Sequence, residues 1–380
     1  MLLTYILVFL TVAIIAGFII PQILLIAFRK NLFDEIDPRK IHKGTVPRLG
    51  GIAFFPSILF SILFITGLMP MIPMVTHLTT TATLTTINFI TCSVIILYLV
   101  GMADDLIGVK YRAKFVAQIF SAALIVAGGI YINDLHGFLG ISELTEDPTH
   151  LTFDFGSISA ALLTILLTVF ITNAINLIDG IDGLASGLSA IACAFFGFIF
   201  YQADMHLYGM ISFATLGALL PFFYYNVFGD AKKHSKIFMG DTGALTIGLV
   251  LSILSIRTCQ IDDTTCSPNM AVVAFAPLLI PCFDVVRVYL HRIRMKRNPF
   301  LPDKTHIHHK LLALGIHQRL AMPAIVVSSL LLTLLNYWLS FHLNITLLFA
   351  LDLAIWILVN TLLSHAIHRR ELRTNQKLYD

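Results

Sequence analysis

Stretches of about twenty residues with scarcely a charge recur from one end of this chain to the other, and they set the solvent in which it can fold. A helix crosses the bilayer core in about 20 apolar residues, because its internal hydrogen bonds satisfy the backbone where no water is present. Only 12% of the 380 residues are charged and 57% are hydrophobic, whereas soluble domains carry roughly 25% charged residues. The pattern predicts an all-α polytopic transmembrane bundle of about eleven spans. They fall at 2–28, 50–68, 86–103, 113–133, 157–178, 184–203, 207–226, 243–259, 271–291, 320–341 and 345–365. No repeat, low-complexity tract or soluble insertion interrupts them, so residues 1–380 read as a single integral-membrane domain. Residues 366–380 form a tail.

Alternate connections can be tallied for Lys and Arg. One side receives 24 of the 25, in groups at 29–48, 110–114, 232–236, 287–319 and 369–377, and the other receives Arg257 alone. The second side collects Asp134, Glu143, Glu146, Asp147, Asp154, Asp204, Asp262 and Asp263. By the positive-inside rule the basic side is cytoplasmic, which sets the N-terminus outside and the C-terminus inside. Met1 to Phe28 lacks a basic leader and a small-residue cleavage site, and reads as a retained first span. The five cysteines include no CxxC pair; Cys259 and Cys266 flank a short loop and would pair only in an oxidising compartment.

Polar residues crowd the basic side in five segments: 34–51, 101–118, 173–187, 226–243 and 299–315. Asp104 and Asp105 close the third span, and adjacent acids at a membrane boundary repel unless a cation stands between them. Lys110, Arg112 and Lys114 offer the ordinary alternative, a solvated ion cluster. Asn173, Asn176, Asp179 and Asp182 recur every three residues, each step turning the face by about −60° on a helix, so one continuous helix cannot present all four together. A break near Gly180 is expected, lining either a polar cavity or a plain Asp-Gly turn. Asp241 and Thr242 open the eighth span, as hard-metal or phosphate ligands or as a simple helix cap. His306, His308 and His309 lie among Asp303, Lys304 and Lys310, a set suited to a phosphate-rich ligand.

Taken together the segments resemble the polyprenyl-phosphate N-acetylhexosamine-1-phosphate transferases, over about residues 29–315. Asp34-Glu-Ile-Asp37-Pro38-Arg39-Lys40-Ile-His42 with Pro47-Arg48-Leu49-Gly50-Gly51, then Gly101–Gly108, Asn173–Gly187, Phe238–Gly243 and His306–His309 stand in the family's order. The ending His306-Ile307-His308-His309-Lys310-Leu-Leu is similar to the branch using UDP-N-acetylglucosamine and undecaprenyl phosphate for cell-envelope polysaccharides such as O-antigen. The phospho-N-acetylmuramoyl-pentapeptide transferases, the second candidate, normally carry Thr-Met-Gly-Gly in the first loop and three consecutive histidines.

The resemblance implies a bacterial inner-membrane enzyme, working among membrane lipid and releasing UMP at the cytoplasmic face, with Mg²⁺ or Mn²⁺ as cofactor and no nucleic acid partner; a homodimer is compatible with it. It implies Asp241 and Asp104 as metal ligands and Asp104, Asp105, His306, His308 and His309 as catalytic groups. Arg48, Lys114, Asn173, Asn176, Asp179, Asp182 and Phe238 would bind the nucleotide sugar and its phosphates. A secondary transporter is the competitor from another class, but its polar site belongs near the midplane between repeated halves. Asp284 and Asp352 sit inside the ninth and last spans with no such role, and interhelical hydrogen bonds are expected of them.

Overall fold

The computed structural model describes residues 1–33, 46–68, 81–145, 155–261, 266–298, 305–375 and 377–379. The Asp34–His42 part of the first motif, Asp303 and Lys304 lie outside them. Thirteen α-helices follow in order: α1 (Leu2–Lys30), α2 (Phe54–Leu68), α3 (Thr81–Ile107), α4 (Tyr111–Ala127), α5 (Phe155–Ile178), α6 (Leu184–Gln202), α7 (His206–Val227), α8 (Gly240–Cys259), α9 (Met270–Phe275), α10 (Leu279–Arg294), α11 (Ile307–Ala313), α12 (Gln318–Leu339) and α13 (Ile345–Thr374). A short antiparallel hairpin, β1 (Asp134–Phe138) with β2 (Ile141–Glu143), follows α4.

Among the described residues ten helical segments are long and apolar enough to cross a membrane. The predicted span not among them is the fourth, 113–133, which corresponds to α4, of 17 residues. It stops at Gly128 and Gly129, the latter at φ +82°, so residues 128–133 of the predicted span are not helical. The ninth predicted span is also interrupted: a 3-10 turn at Ala276–Leu278 separates α9 from α10. Pro277 lies in that turn, where its missing N–H breaks the ladder of a continuous helix. The last helix overshoots its predicted end and runs on to Thr374.

The bundle is arranged around α8, almost wholly buried and packed against α3, α5, α6 and α9. A helix apolar on every side needs such a central place, or lipid. Outer helices present their large apolar side chains outward, among them Ile14 and Phe18 of α1, Leu162 of α5, Leu331 of α12 and Leu362 of α13. No disulfide joins Cys259 and Cys266, so the pairing considered for them is not formed. Asp352 accepts from Asn336 Nδ2 at 2.9 Å, the expected bond between two spans.

At one end the hairpin is tied to the bundle by His136 Nε2 on the Cys259 carbonyl, 2.8 Å, and by Leu139 N donating to Thr346 Oγ1 at 3.0 Å. The opposite end carries Arg48, Asp104, Lys114, Asp182, Lys236, Asp241 and the histidine turn. Polar chemistry is therefore gathered at one end rather than at mid-depth, which is not the arrangement of a transporter's central site.

Candidate active site at the basic end of the bundle

The N-terminus of α8 is the keystone. Residues 47–51 run alongside residues 238–239, with Phe238 N donating to the Pro47 carbonyl, Gly50 N to Phe238 and Gly51 N to Met239, each at 2.9 Å. This approach demands glycine: a Cβ on Gly51 would lie 2.0 Å from Gly243 N. The open end of α8 is capped from another helix. Asp105 of α3 accepts from Asp241 N at 2.8 Å through Oδ1, and from Thr242 N at 2.8 Å and Thr242 Oγ1 at 2.6 Å through Oδ2. Asp105 was expected among the catalytic groups, but its oxygens are taken up in satisfying the free amides of a helix start. Asp241, one alternative for which was helix capping, is thereby released from that duty.

Its neighbour Asp104 turns toward the opening. Val109 N donates to Asp104 Oδ1 at 2.6 Å, and Lys114 Nζ bridges Asp104 Oδ2 at 3.0 Å and Asp241 Oδ2 at 2.7 Å. Asn176 Nδ2 donates to Asp241 Oδ1 at 3.1 Å. The spacing from α3 through α4 and α5 to α8 thus brings two acids, one lysine and one amide to a point. Each is partly reached by solvent.

α5 ends at Ile178 and α6 starts at Leu184 after Gly183 at φ +79°, so the expected break is present. Below it Asn173, expected to touch nucleotide, exchanges hydrogen bonds with Gln118 at 2.7 and 3.3 Å, a closed amide pair between α4 and α5. Asn176, three residues on and about 60° round the helix, meets Asp241 of α8 instead. Past the break, Asp182 pairs with Lys236 at 2.6 Å, and the ammonium lies 6.0 Å from the Phe238 ring centroid. Arg48 is exposed on the 47–51 segment. Asp179 is exposed on the turn, yet the protein packed around its carboxyl, reinforced by Asp182 and Asp241 and opposed by Arg48, pushes it up to about 7. The turn itself is held by Asn226, buried, whose Oδ1 accepts from Gly183 N at 2.6 Å while its Nδ2 donates to the Ile237 carbonyl at 2.9 Å.

The histidines arrive on the short helix α11. Asp284 of α10, fully buried, bonds His306 Nδ1 at 2.9 Å, accepts from Ile307 N at 3.0 Å and pairs with Arg287 at 2.7 Å. This is more than an incidental interhelical bond: it fixes the start of the turn. His308 is 1% exposed, and a Cβ on Gly180 would stand 2.2 Å from its Nε2, so the ring backs directly onto the Asp179–Gly180 turn. Burial, then the neighbouring imidazoles of His309 and His306, hold His308 well below the ordinary histidine range. His309, with its ring centroid 4.2 Å from that of His308, is the half-exposed member of the three.

Asn226 and Gln118 escaped the sequence reading, and Asp284 makes the expected hydrogen bond between elements but with a histidine partner that was not foreseen. For Asp284 the signal was present, an acid inside an apolar span, and its partner 22 residues away was not.

The donor set can be tested for a metal. Among the described residues no three acids, histidines or cysteines converge to hold an ion alone. Mg²⁺ is commonly held by one or two carboxylates together with substrate phosphates and water. Asp104 and Asp241, brought to within hydrogen-bonding distance of one shared ammonium, fit that requirement.

Beneath α11 lies a largely apolar cavity of about 400 Å³ between α10, α12 and α13. Ile307 and Leu311 form its end next to the histidines; Phe283, Ile325, Leu332 and Trp356 line its sides.

Comparison with known proteins points the same way. Residues 87–259 match the family described as glycosyl transferase family 4. A Bacillus subtilis (strain 168) protein named as a probable undecaprenyl-phosphate N-acetylglucosaminyl 1-phosphate transferase is 32% identical over 85% of this chain and 83% of its own length. Proteins of Escherichia coli (strain K12) and Yersinia pestis, named undecaprenyl-phosphate alpha-N-acetylglucosaminyl 1-phosphate transferase, are 29% and 28% identical. These cover 81% and 82% of this chain and 76% and 78% of the relatives.

Proposed function

This chain belongs to glycosyl transferase family 4, and from that premise we propose that it transfers N-acetylglucosamine 1-phosphate from UDP-N-acetylglucosamine to undecaprenyl phosphate, releasing UMP. The observation that carries the reading is the convergence of Asp104, Lys114, Asn176 and Asp241 at the end of the bundle that bears the basic residues. That end faces the cytoplasm of a bacterial inner membrane, where the charge segregation of the loops orients it.

Both substrates are anions, so the site must first overcome their repulsion. Lys114 lies at its centre, Arg48 and Lys236 on its rim, and His309 on the side of α11. Asp241 and Asp104 would hold Mg²⁺, which when bound supplies charge neutralisation for the diphosphate and the departing UMP. Asp179 and Asp182, on the broken turn beside Phe238 and Lys236, offer acceptors and an aromatic face for the uridine.

A lipid phosphate oxygen attacks the phosphorus attached to the sugar, and the bond from that phosphorus to the oxygen bridging to UMP breaks. A phosphate monoester with a second pKa of about 6 is already mostly dianionic at pH 7, so no base is needed to generate the nucleophile. Asp104 suits orientation better than proton transfer, since both its oxygens already accept hydrogen bonds. Incubation with the UDP-sugar but no lipid accordingly leaves Asp104 and Asp105 unmodified; a phosphorylated peptide containing either would refute direct displacement. The apolar cavity under α11 gives the first isoprene units a place beside the histidines while the rest of the tail stays in lipid.

The reading is tested by supplying UDP-N-acetylglucosamine labelled in the sugar. It requires label in an extractable lipid diphosphate with one UMP per lipid formed, and label that stays in water in the presence of undecaprenyl phosphate would reject it.

A further inference from the structure

A helix of seven residues does not hold itself in water, so the orientation of α11 must come from what grips it. Asp284 secures its first turn. Arg287 of the same helix α10 also donates to the Thr305 carbonyl through Nη2, and further grips come from α13 and the segment after it. Lys310 is 4% exposed, and its ammonium donates to Asn360 Oδ1 at 3.1 Å, Ser364 Oγ at 3.0 Å and the Asn360 carbonyl at 3.3 Å. All three acceptors are neutral. Among the described residues no carboxylate stands at ion-pair distance from Lys310, and its described hydrogen bonds all run to α13.

Two more contacts bracket that one. At the far end of α11, Arg370 Nη1 donates to the Ala313 carbonyl at 3.0 Å. At the near end, Glu371 Oε1 accepts from Leu378 N at 2.8 Å and Tyr379 N at 3.1 Å, folding the chain back on α13. The Tyr379 hydroxyl then donates to the carbonyl of Thr305, the residue before His306, with the Tyr379 ring 5.9 Å from Lys310 Nζ. One element thus reaches Lys310, Ala313 and, together with Arg287 of α10, Thr305, across the whole length of the turn that carries the three histidines.

We propose that α13 and the segment following it form a clamp that sets the histidine turn against the Asp179–Gly180 turn, with Lys310, Asn360 and Tyr379 as positioning residues for transfer. The proposal rests on the transferase reading for its catalytic consequence, though not for the clamp itself. His308 is seated so tightly on Gly180 that a small displacement of α11 is passed to Asp179. Misplacement by about 1 Å can cost about 100-fold in rate.

The test compares full-length wild type with Lys310→Met, Lys310→Arg and Tyr379→Phe in lipid nanodiscs. Amide hydrogen exchange is read over residues 305–313, and kcat and KM are read for UDP-N-acetylglucosamine. In Lys310→Met the clamp requires exchange across 305–313 to rise at least tenfold, kcat to fall at least tenfold and KM to stay within threefold. Lys310→Arg is to recover most of both losses, and Tyr379→Phe is to move exchange and kcat in the same direction by a smaller amount. Unchanged protection of 305–313 in both Lys310→Met and Tyr379→Phe, or raised exchange with unchanged kcat, would overturn it. Should Lys310→Met fail to fold, Tyr379→Phe, which keeps the ring, carries the decision alone. A wild type that makes no lipid-linked product would refute the transferase reading, while the exchange data would still decide whether the clamp exists.

Discussion

Lys114 answers two carboxylates with one charge, and replacing either acid tests a different part of the proposed mechanism. Asp241→Asn is expected to lower turnover by about 100- to 1000-fold, the usual cost of removing one electrostatic stabiliser. Its thermal midpoint should stay near wild type; near-normal activity in saturating Mg²⁺ would contradict the metal role. Asp179 supplies the pH signal. Raised to about 7, it is protonated in the free enzyme below that pH and gains its charge above it. If its carboxylate accepts from the uridine, kcat/KM for the donor rises with pH through about 7, and Asp179→Asn flattens that limb; a limb that survives the substitution belongs to another group. The acids at the site could be found from sequence because charge at a membrane boundary is costly and needs a reason. Asn226 and Gln118 could not be, nor could the histidine partner of Asp284, because these contacts join residues far apart in sequence.

Between elements, the contest is over the start of α8. Asp105 satisfies two of its amides and a hydroxyl from α3, so Asp105→Ala leaves those donors without their acceptor. A loss of about 1–3 kcal/mol is expected, read by thermal unfolding, with activity falling because Asp241 shifts. Asp104→Asn should show the converse, a large loss of turnover with little loss of stability. Gly51→Ala would drive a methyl toward Gly243 N and is expected to destabilise by about 1–3 kcal/mol, as overpacking usually does. The adjacent pair Asp104-Asp105 looked like one feature in the sequence. Successive helical residues face about 100° apart, and the structure divides them into a residue at the opening and a residue at the cap. The α5–α6 break was legible in its Asp-Gly chemistry, whereas the α9–α10 break was hidden by uniformly apolar flanks, with Pro277 its one visible sign.

The molecule as a whole inherits its span count from hydropathy and its proposed orientation from the placement of Lys and Arg. A single cysteine at Lys233 is expected to resist a membrane-impermeant maleimide added to intact cells, and one at His342 to react; the reverse pattern would invert the topology. The apolar cavity extends this account into the membrane. Ser328→Trp, which fills it from α12, should raise KM for undecaprenyl phosphate several-fold while leaving KM for the nucleotide sugar unchanged. Span positions were readable because every apolar helix must meet lipid or a core. Which helices would enclose a cavity was not readable, since Leu and Ile serve either surface equally well.

The measurement that bears most directly on the central claim is UMP release by the purified protein with Mg²⁺ and undecaprenyl phosphate. UDP-N-acetylglucosamine, UDP-N-acetylgalactosamine and UDP-N-acetylmuramoyl-pentapeptide are offered in parallel. The account predicts release that requires the lipid phosphate and is fastest with UDP-N-acetylglucosamine. Release with the pentapeptide donor alone, or none from folded protein with any of the three, would contradict it.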